Sequence, residues 1–374
     1  MKIGILTLPL HTNYGGILQA YALQTVLERM GHEVKVINRN TDYKLPLWKT
    51  PLVYSKRIIK NILGYKIPLF YEQKLIKEQP IIRQNTDRFI QRYIHTLNVD
   101  NYSDLKAEDF DAIVVGSDQV WRPKYFGKIE DAYLQFAKDW NIKRIAYAAS
   151  FGTAEWEYTD RQTAICKDLI KKFDAVSVRE DSGKELCKKY FGVDAEHLLD
   201  PTMLLEKEDY IRLFENSGTS QSPGTLMCYI LDETPEKQSV INRIAREKDL
   251  IPFRVNSKVE NYKAPLVERI QPPVEQWIRG FYDAEFVVTD SFHACVFSIL
   301  FNKPFIAISN KGRGESRFQS LLKLFDLDNR IIELPPKTNK LTVDIDVFFG
   351  NINSLKRLYI KKSISFIGEN LHND

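Results

Sequence analysis

Asp290-Ser291-Phe292-His293 lies between two apolar runs, Ala284 to Thr289 and Ala294 to Phe301. That pattern puts one histidine in the first turn of a helix that begins where a strand ends. The positive end of a helix favours the neutral ring. A poised imidazole there serves as base, acid or hydrogen-bond donor. A lone histidine is more often structural, but its place at a strand-to-helix edge favours a functional reading. Five more polar stretches occupy the same kind of position. Asn13-Tyr14-Gly15-Gly16 has adjacent glycines, which let backbone approach a ligand closely, ahead of a helix with free N–H groups; a plain tight turn needs the same residues. In Gly116-Ser117-Asp118-Gln119, Asp118 can accept a proton, hold a hydroxyl, or simply cap the next segment. Ser150 and Gly152 follow another apolar run and line the same edge. Arg179 carries a planar fork suited to carboxylate or phosphate, unless it pairs with Glu180 or Asp181. Asn310 to Arg317 (NKGRGESR) offers Lys311, Arg313 and Arg317 with two glycines, either as an anion-binding loop or as an exposed basic one.

Such residues converge only if strands bring them to one edge. The apolar runs Lys2 to Leu8, Glu33 to Asn38, Phe110 to Val115, Arg144 to Ala149 and Ala175 to Val178 read as strands. Helical spacing lies between several of them, first in Ile17 to Met30, which Gly31 ends. This alternation predicts a doubly wound α/β domain, in which ligands bind beyond the carboxyl ends of the strands. Asn216 to Gly224 breaks the pattern. A second α/β unit follows, with strands at Leu226 to Leu231, Ile251 to Val255, Ala284 to Thr289 and Pro304 to Ile308. The expected organisation is a domain over 1–205, a second over 206–345, and a helical tail, 346–374, that packs back on the first.

Composition bounds the rest. With 374 residues, 44% hydrophobic and 27% charged, the chain suits two domains of roughly 150 to 200 residues. No apolar run approaches the roughly 20 residues that span a bilayer. The first residues read as a strand rather than a signal peptide. A net charge of +4 suits anionic ligands, but the chain lacks the dense basic stripe of a nucleic-acid binder. The four cysteines form no CxxC pair and read as buried thiols in a reducing cytoplasm. The six histidines form no HExxH, so no metal site is supported. Residues 44–92 differ from the rest. Eleven Lys and Arg face three acids there, interleaved with Trp48, Tyr54, Ile58, Ile59, Leu63, Tyr65 and Phe70. The segment reads as a solvated helical insertion, or as a lid or a surface that rests on anionic membrane.

The segments TNYGGILQAYAL, FDAIVVGSDQVW, IAYAASFG, AVSVRED, DPTMLL and TDSFHACVFSILFNKPFIAI occur in this order. Together they make the chain resemble the polysaccharide pyruvyl transferase family over nearly its whole length, the 44–92 insertion and the tail excepted. Cys295, after His-Ala, departs from the Gly or Thr expected nearby, which does not touch the role of His293. The resemblance implies a GT-B-like architecture, two Rossmann-like domains facing across a cleft. It implies phosphoenolpyruvate as donor, a sugar or lipid-linked oligosaccharide with two nearby hydroxyls as acceptor, and a cyclic pyruvate ketal plus phosphate as products. No metal or further cofactor is implied. On this reading His293 transfers a proton or touches the leaving phosphate, and Asp118 is the weaker candidate for hydroxyl base. Arg179, Ser291, Lys311, Arg313 and Arg317 hold the donor; Asn13, Tyr14, Gly15, Gly16 and Ser150 form the acceptor-side or backbone loops. The reaction would be cytoplasmic, at the inner face of the membrane if the 44–92 surface docks there. Two other readings share the fold: a glycosyltransferase using a nucleotide sugar, with Glu315 as the acid for the ribose, and a relative that binds glycans without catalysis.

Overall fold

The computed structural model describes residues 1–39, 48–65, 69–310, 314–334 and 349–371. The first domain is a seven-stranded sheet: β1 (Lys2–Leu6), β2 (Glu33–Arg39), β3 (Thr96–Val99), β4 (Ala112–Val115), β5 (Lys143–Ala149), β6 (Ala175–Val178) and β7 (Glu196–His197). Its order is β3-β2-β1-β4-β5-β6-β7, and every pairing is parallel. β4 is buried along its whole length, as a strand covered by helices on both faces must be. The second domain is a five-stranded parallel sheet: β8 (Leu226–Tyr229), β9 (Pro252–Phe253), β10 (Phe286–Thr289), β11 (Phe305–Ile308) and β12 (Ile331–Ile332). Its order is β12-β11-β10-β8-β9.

Three strands escape the sequence reading, β3, β7 and β12, and the two-residue β7 is the far edge of the first sheet. β3 has the half-polar sequence TLNV and β12 is two residues long; both are edge strands, where one unpaired side removes the demand for a continuous apolar run. No α-helix joins β4 to β5. Short 3-10 turns and a packed aromatic cluster fill that crossover, with Trp121 stacked on Tyr133 at 4.9 Å between ring centres.

The helix Tyr14–Arg29 follows β1 across the loop 7–13, and the Asn13 side chain caps it by accepting from the Gly16 N–H at 3.3 Å. Every residue of the helix Phe292–Leu300 is buried, so FHACVFSIL is apolar nearly all round because it has no solvent face. The domains meet at an aromatic seam. Tyr14 stacks on Trp277 at 5.4 Å and donates its hydroxyl to the Pro272 carbonyl at 2.8 Å. The helix Phe349–Leu371 lies on the first domain, where the Ser363 hydroxyl accepts from the Leu199 N–H at 3.3 Å and Phe366 meets Tyr147. All four cysteines are free and buried.

Candidate active site

Each sheet has one point where chain order reverses beside its founding strand. In the first domain it lies between β1 and β4, in the second between β8 and β10. Such switch points open a crevice at the carboxyl ends of the strands. Here the two crevices face each other across a cleft of about 2370 Å³, lined among others by His11, Asn13, Gly16, Asp118, Ser291, His293 and Arg317.

The first-domain wall is built from turn geometry. Gly116 has φ +129, and a Cβ there would strike the Tyr147 carbonyl. Asp118 sits at φ 61, a left-handed conformation that aspartate tolerates better than most residues. Its own carbonyl accepts from the N–H groups of Val120 (2.8 Å) and Ser150 (3.0 Å), so the turn is tied to the end of β5. The second-domain wall depends on Asp290. Its buried carboxylate accepts from the Leu231 N–H at 2.6 Å and from Lys237 Nζ at 2.6 Å, stitching the end of β8 to that of β10. Asp290 is therefore a brace for the turn that carries Ser291 and His293. Ser291 holds the N-cap position without a side-chain capping bond. The helix thus starts at the cleft with its N–H groups uncapped by that hydroxyl.

A buried chain of charges connects the walls. Arg179 donates from Nη1 to Asp200 Oδ2 at 2.7 Å and from Nη2 to Asp118 Oδ1 at 3.2 Å. Arg317 Nη1 stands 3.9 Å from the same Asp118 oxygen. Both guanidinium groups lie over the Phe292 ring, at 4.6 and 5.3 Å from its centre. His293 Nε2 is 3.5 Å from Asp200 Oδ2, long for a hydrogen bond and an ion pair only when the ring is protonated. The other side of the imidazole rests on Gly15, where any Cβ would overlap the ring. Glycine is thus required by the approach of a histidine from the opposite domain. Asp200 Oδ1 accepts from the Thr202 N–H (3.0 Å) and hydroxyl (2.7 Å), which fixes the carboxylate facing His293.

The electrostatics follow from this geometry. Burial works against the charge of Asp118, but Arg179, His293 and Arg317 outweigh it and hold the carboxyl below its ordinary range. Burial likewise opposes ionisation of Asp200, and His293, Arg179 and Thr202 overcome it. A carboxylate held this firmly ionised is a poor proton acceptor, so Asp118 is better suited to hold cations and a hydroxyl than to act as base. Burial and the neighbouring charge of Arg179 push Arg317 down to about 10. It stays charged at neutral pH, in surroundings that an incoming anion would improve.

The structure distributes the expected site residues unevenly. Asn13, Gly16, Asp118, Ser291, His293 and Arg317 reach the cleft, and Gly15 lies beneath His293. Arg179 stands behind the wall, its side chain 1% exposed, and pairs with Asp118 and Asp200 rather than with Glu180 or Asp181. It braces the site instead of offering itself to a ligand. Tyr14 belongs to the domain seam. Ser150 is fully buried and donates its hydroxyl to Glu180 Oε1 at 3.1 Å. The same Glu180 oxygen accepts from the N–H groups of Phe151 (2.7 Å) and Gly152 (3.0 Å), holding that loop in place. Glu315 accepts from the Ser309 hydroxyl at 2.5 Å. Lys311 and Arg313 lie outside the described residues.

Three participants escape the sequence reading. Asp200 looks like a turn residue before proline, and only the fold brings it to His293. Phe292 looks like a core residue of its helix, yet it carries both guanidinium groups. His11 lines the cleft; its Nδ1 accepts from the Thr12 N–H at 2.8 Å, leaving the proton of the neutral ring on Nε2. Burial, with the charge of Arg83, lowers the His11 pKa against the opposing pull of Asp118 and Asp87. The signal for His11 is its place two residues before Asn13, in the loop that follows β1.

The fold has known relatives. The chain aligns with Arabidopsis thaliana UGT89C1 complexed with UDP-L-rhamnose at TM-score 0.52 and 11% identity, covering 99% of each chain. Anabaena Alr3699/HepE in complex with UDP aligns at TM-score 0.50 and 11% identity, again over 99% of each. At that identity these likenesses establish the GT-B architecture and nothing further. No curated protein matches the sequence. The family model for polysaccharide pyruvyl transferase matches residues 13–312, a stretch that contains Asp118, Arg179, Asp200 and His293 and ends before Arg317, and the protein belongs to that family of transferases.

Proposed function

We propose that the cleft transfers the pyruvyl group of phosphoenolpyruvate to two hydroxyls of a sugar in a cell-surface polysaccharide precursor. The observation that carries this reading is the meeting, at two facing switch points, of Arg317 and an uncapped helix start with His293 backed by Asp200. A donor with a phosphate and a carboxylate calls for cationic and N–H donors in a confined site. Arg317, the Ser291 hydroxyl and the N–H groups in the first turn of Phe292–Leu300 supply them. Lys311 and Arg313 remain part of the proposed donor loop on sequence grounds alone.

In the reaction a proton adds to the methylene carbon, the first sugar hydroxyl attacks C2, and phosphate leaves. The second hydroxyl then closes the ketal. Of the two hydroxyl protons lost, one balances the new methyl group and the other departs with phosphate. His293 moves a proton at the phosphate or hydroxyl oxygen, with Asp200 holding its ring. Asp118 orients the acceptor hydroxyl and keeps Arg317 in place. The two walls exclude water from the oxocarbenium-like carbon when they approach. The donor substrate is the only small molecule required beside the acceptor. We place the reaction in the cytoplasm.

The test is phosphate release from phosphoenolpyruvate across a panel of sugar and lipid-linked diols, with the ketal methyl group followed by NMR. Acceptor-dependent release is expected. Stabilisation by UDP-sugars, with no release on any acceptor, would replace the reading by glycosyl transfer.

A further inference from the structure

We infer that the two helical segments at 48–65 and 69–81 are a docking surface for an anionic lipid bilayer, which seats the cleft at the membrane. Ten of the seventeen exposed large hydrophobic side chains among the described residues lie in these two segments. The helix Thr50–Ile62 buries none of its residues. Its spacing is ordered all the same. Leu52, Ile59 and Leu63 recur at seven and four residues and share one face. Lys49, Lys56 and Lys60 recur at the same intervals, rotated by less than a right angle at 100° per residue, and form a row along the edge of that face. All three lysines are exposed. Such a stripe with a cationic border is the pattern of a helix that lies in a membrane interface, its apolar side chains among acyl chains and its lysines at the headgroups.

Charge complementarity selects the occupant. The acids of the two segments are already engaged inward: Glu72 with Arg57 at 2.5 Å, and Glu78 with Arg269 of the second domain at 2.7 Å. The outward charge is therefore positive, and an anionic surface attracts it. The second helix, Tyr71–Tyr93, connects this face to the site. Its Ile76, Gln79 and Arg83 line the cleft, so a bilayer beneath the first helix lies within a few helical turns of the acceptor entrance. No helix among the described residues is long and apolar enough to cross a membrane, and the contact proposed is interfacial.

Vesicle co-sedimentation tests this without turnover, so its outcome is separate from that of the pyruvyl assay. The full chain is mixed with vesicles of phosphatidylcholine alone or with about a third phosphatidylglycerol. Three proteins are compared: wild type, Lys49→Gln/Lys56→Gln/Lys60→Gln, and Ile59→Ser/Leu63→Ser. Because the first helix buries none of its residues, both variants should melt like wild type. Wild type is expected to bind the anionic vesicles, with each variant weaker by roughly tenfold or more, and to ignore neutral ones. Absence of wild-type binding, or equal binding by the variants, would overturn the inference. So would a wild-type dimer that Ile59→Ser/Leu63→Ser converts to monomer, since a second copy would then cover the face.

Discussion

The cleft and the helical pair at 48–65 and 69–81 are made from the same ingredients and use them in opposite ways. Both lay cations over aromatic rings: Arg179 and Arg317 over Phe292 in the cleft, Lys49 over Trp48 at 4.7 Å on the helical pair. In the cleft the groups are buried and each charge is tied to others through short contacts. On the helical pair the lysines and the apolar side chains face outward. The contrast is one of dielectric. In the interior a charge must be matched, and the matching fixes geometry. At the surface the same charge is screened and flexible, and contributes little until a partner of opposite sign arrives. The cleft residues should therefore be sensitive to single changes, and the residues of the helical pair tolerant of them except in the presence of a partner.

Substitutions can break that contrast. The largest effect is expected for His293→Ala, which should lower kcat by about 10²–10⁴-fold, the usual worth of a proton-transferring group, while circular dichroism stays unchanged. Turnover near wild type would remove His293 from the chemistry. Gly15→Ala comes next. Its methyl group would displace the imidazole, and a misplacement of about 1 Å can cost about 10²-fold in kcat. A normal rate would mean that the ring need not sit where it does.

Arg179→Ala probes stability. It leaves Asp118 and Asp200 as buried anions with one cation fewer, and loss of one partner of a buried pair typically costs about 3–5 kcal/mol. Lys60→Ala on the helical pair should stay within about 0.5 kcal/mol, as surface changes usually do. Denaturant midpoints for the two variants that moved equally would erase the distinction between the regions.

The pH dependence has a definite sign. The Asp118 and Asp200 carboxyls are held lower in the folded state than in the unfolded chain. Their stabilisation is complete above the unfolded carboxylate range, at about pH 4, and is lost as pH falls through their lower folded values. Acid unfolding should accordingly be less steep in Asp200→Asn than in wild type, at the expense of stability at neutral pH. Identical slopes would mean that Asp200 titrates alike in both states. A loss of about 1 kcal/mol is expected for Asn13→Ala from a lost helix cap, read from the same denaturation curves and larger than that for Lys60→Ala.

Much of this arrangement was legible in the residues. The apolar runs located the inner strands of both sheets, because a strand covered on both faces must be apolar throughout. His293, Asp118 and Gly16 could be placed at strand ends from turn chemistry alone. The partners could not. Asp200 and Arg179 are 21 residues apart, and only the lateral order of β6 and β7 brings them together. The true position of Arg179, behind the wall, depends on Phe292, which local pattern reading assigns to a core. Gly15 looked like half of a flexible turn; its requirement comes from a histidine almost three hundred residues away.

A crystal structure with phosphoenolpyruvate bound tests the central claim most directly. The account predicts the phosphate at Arg317 and the start of the Phe292–Leu300 helix, with the His293 ring in contact with the donor. Donor density elsewhere in the cleft, with Arg317 and His293 untouched, would contradict it.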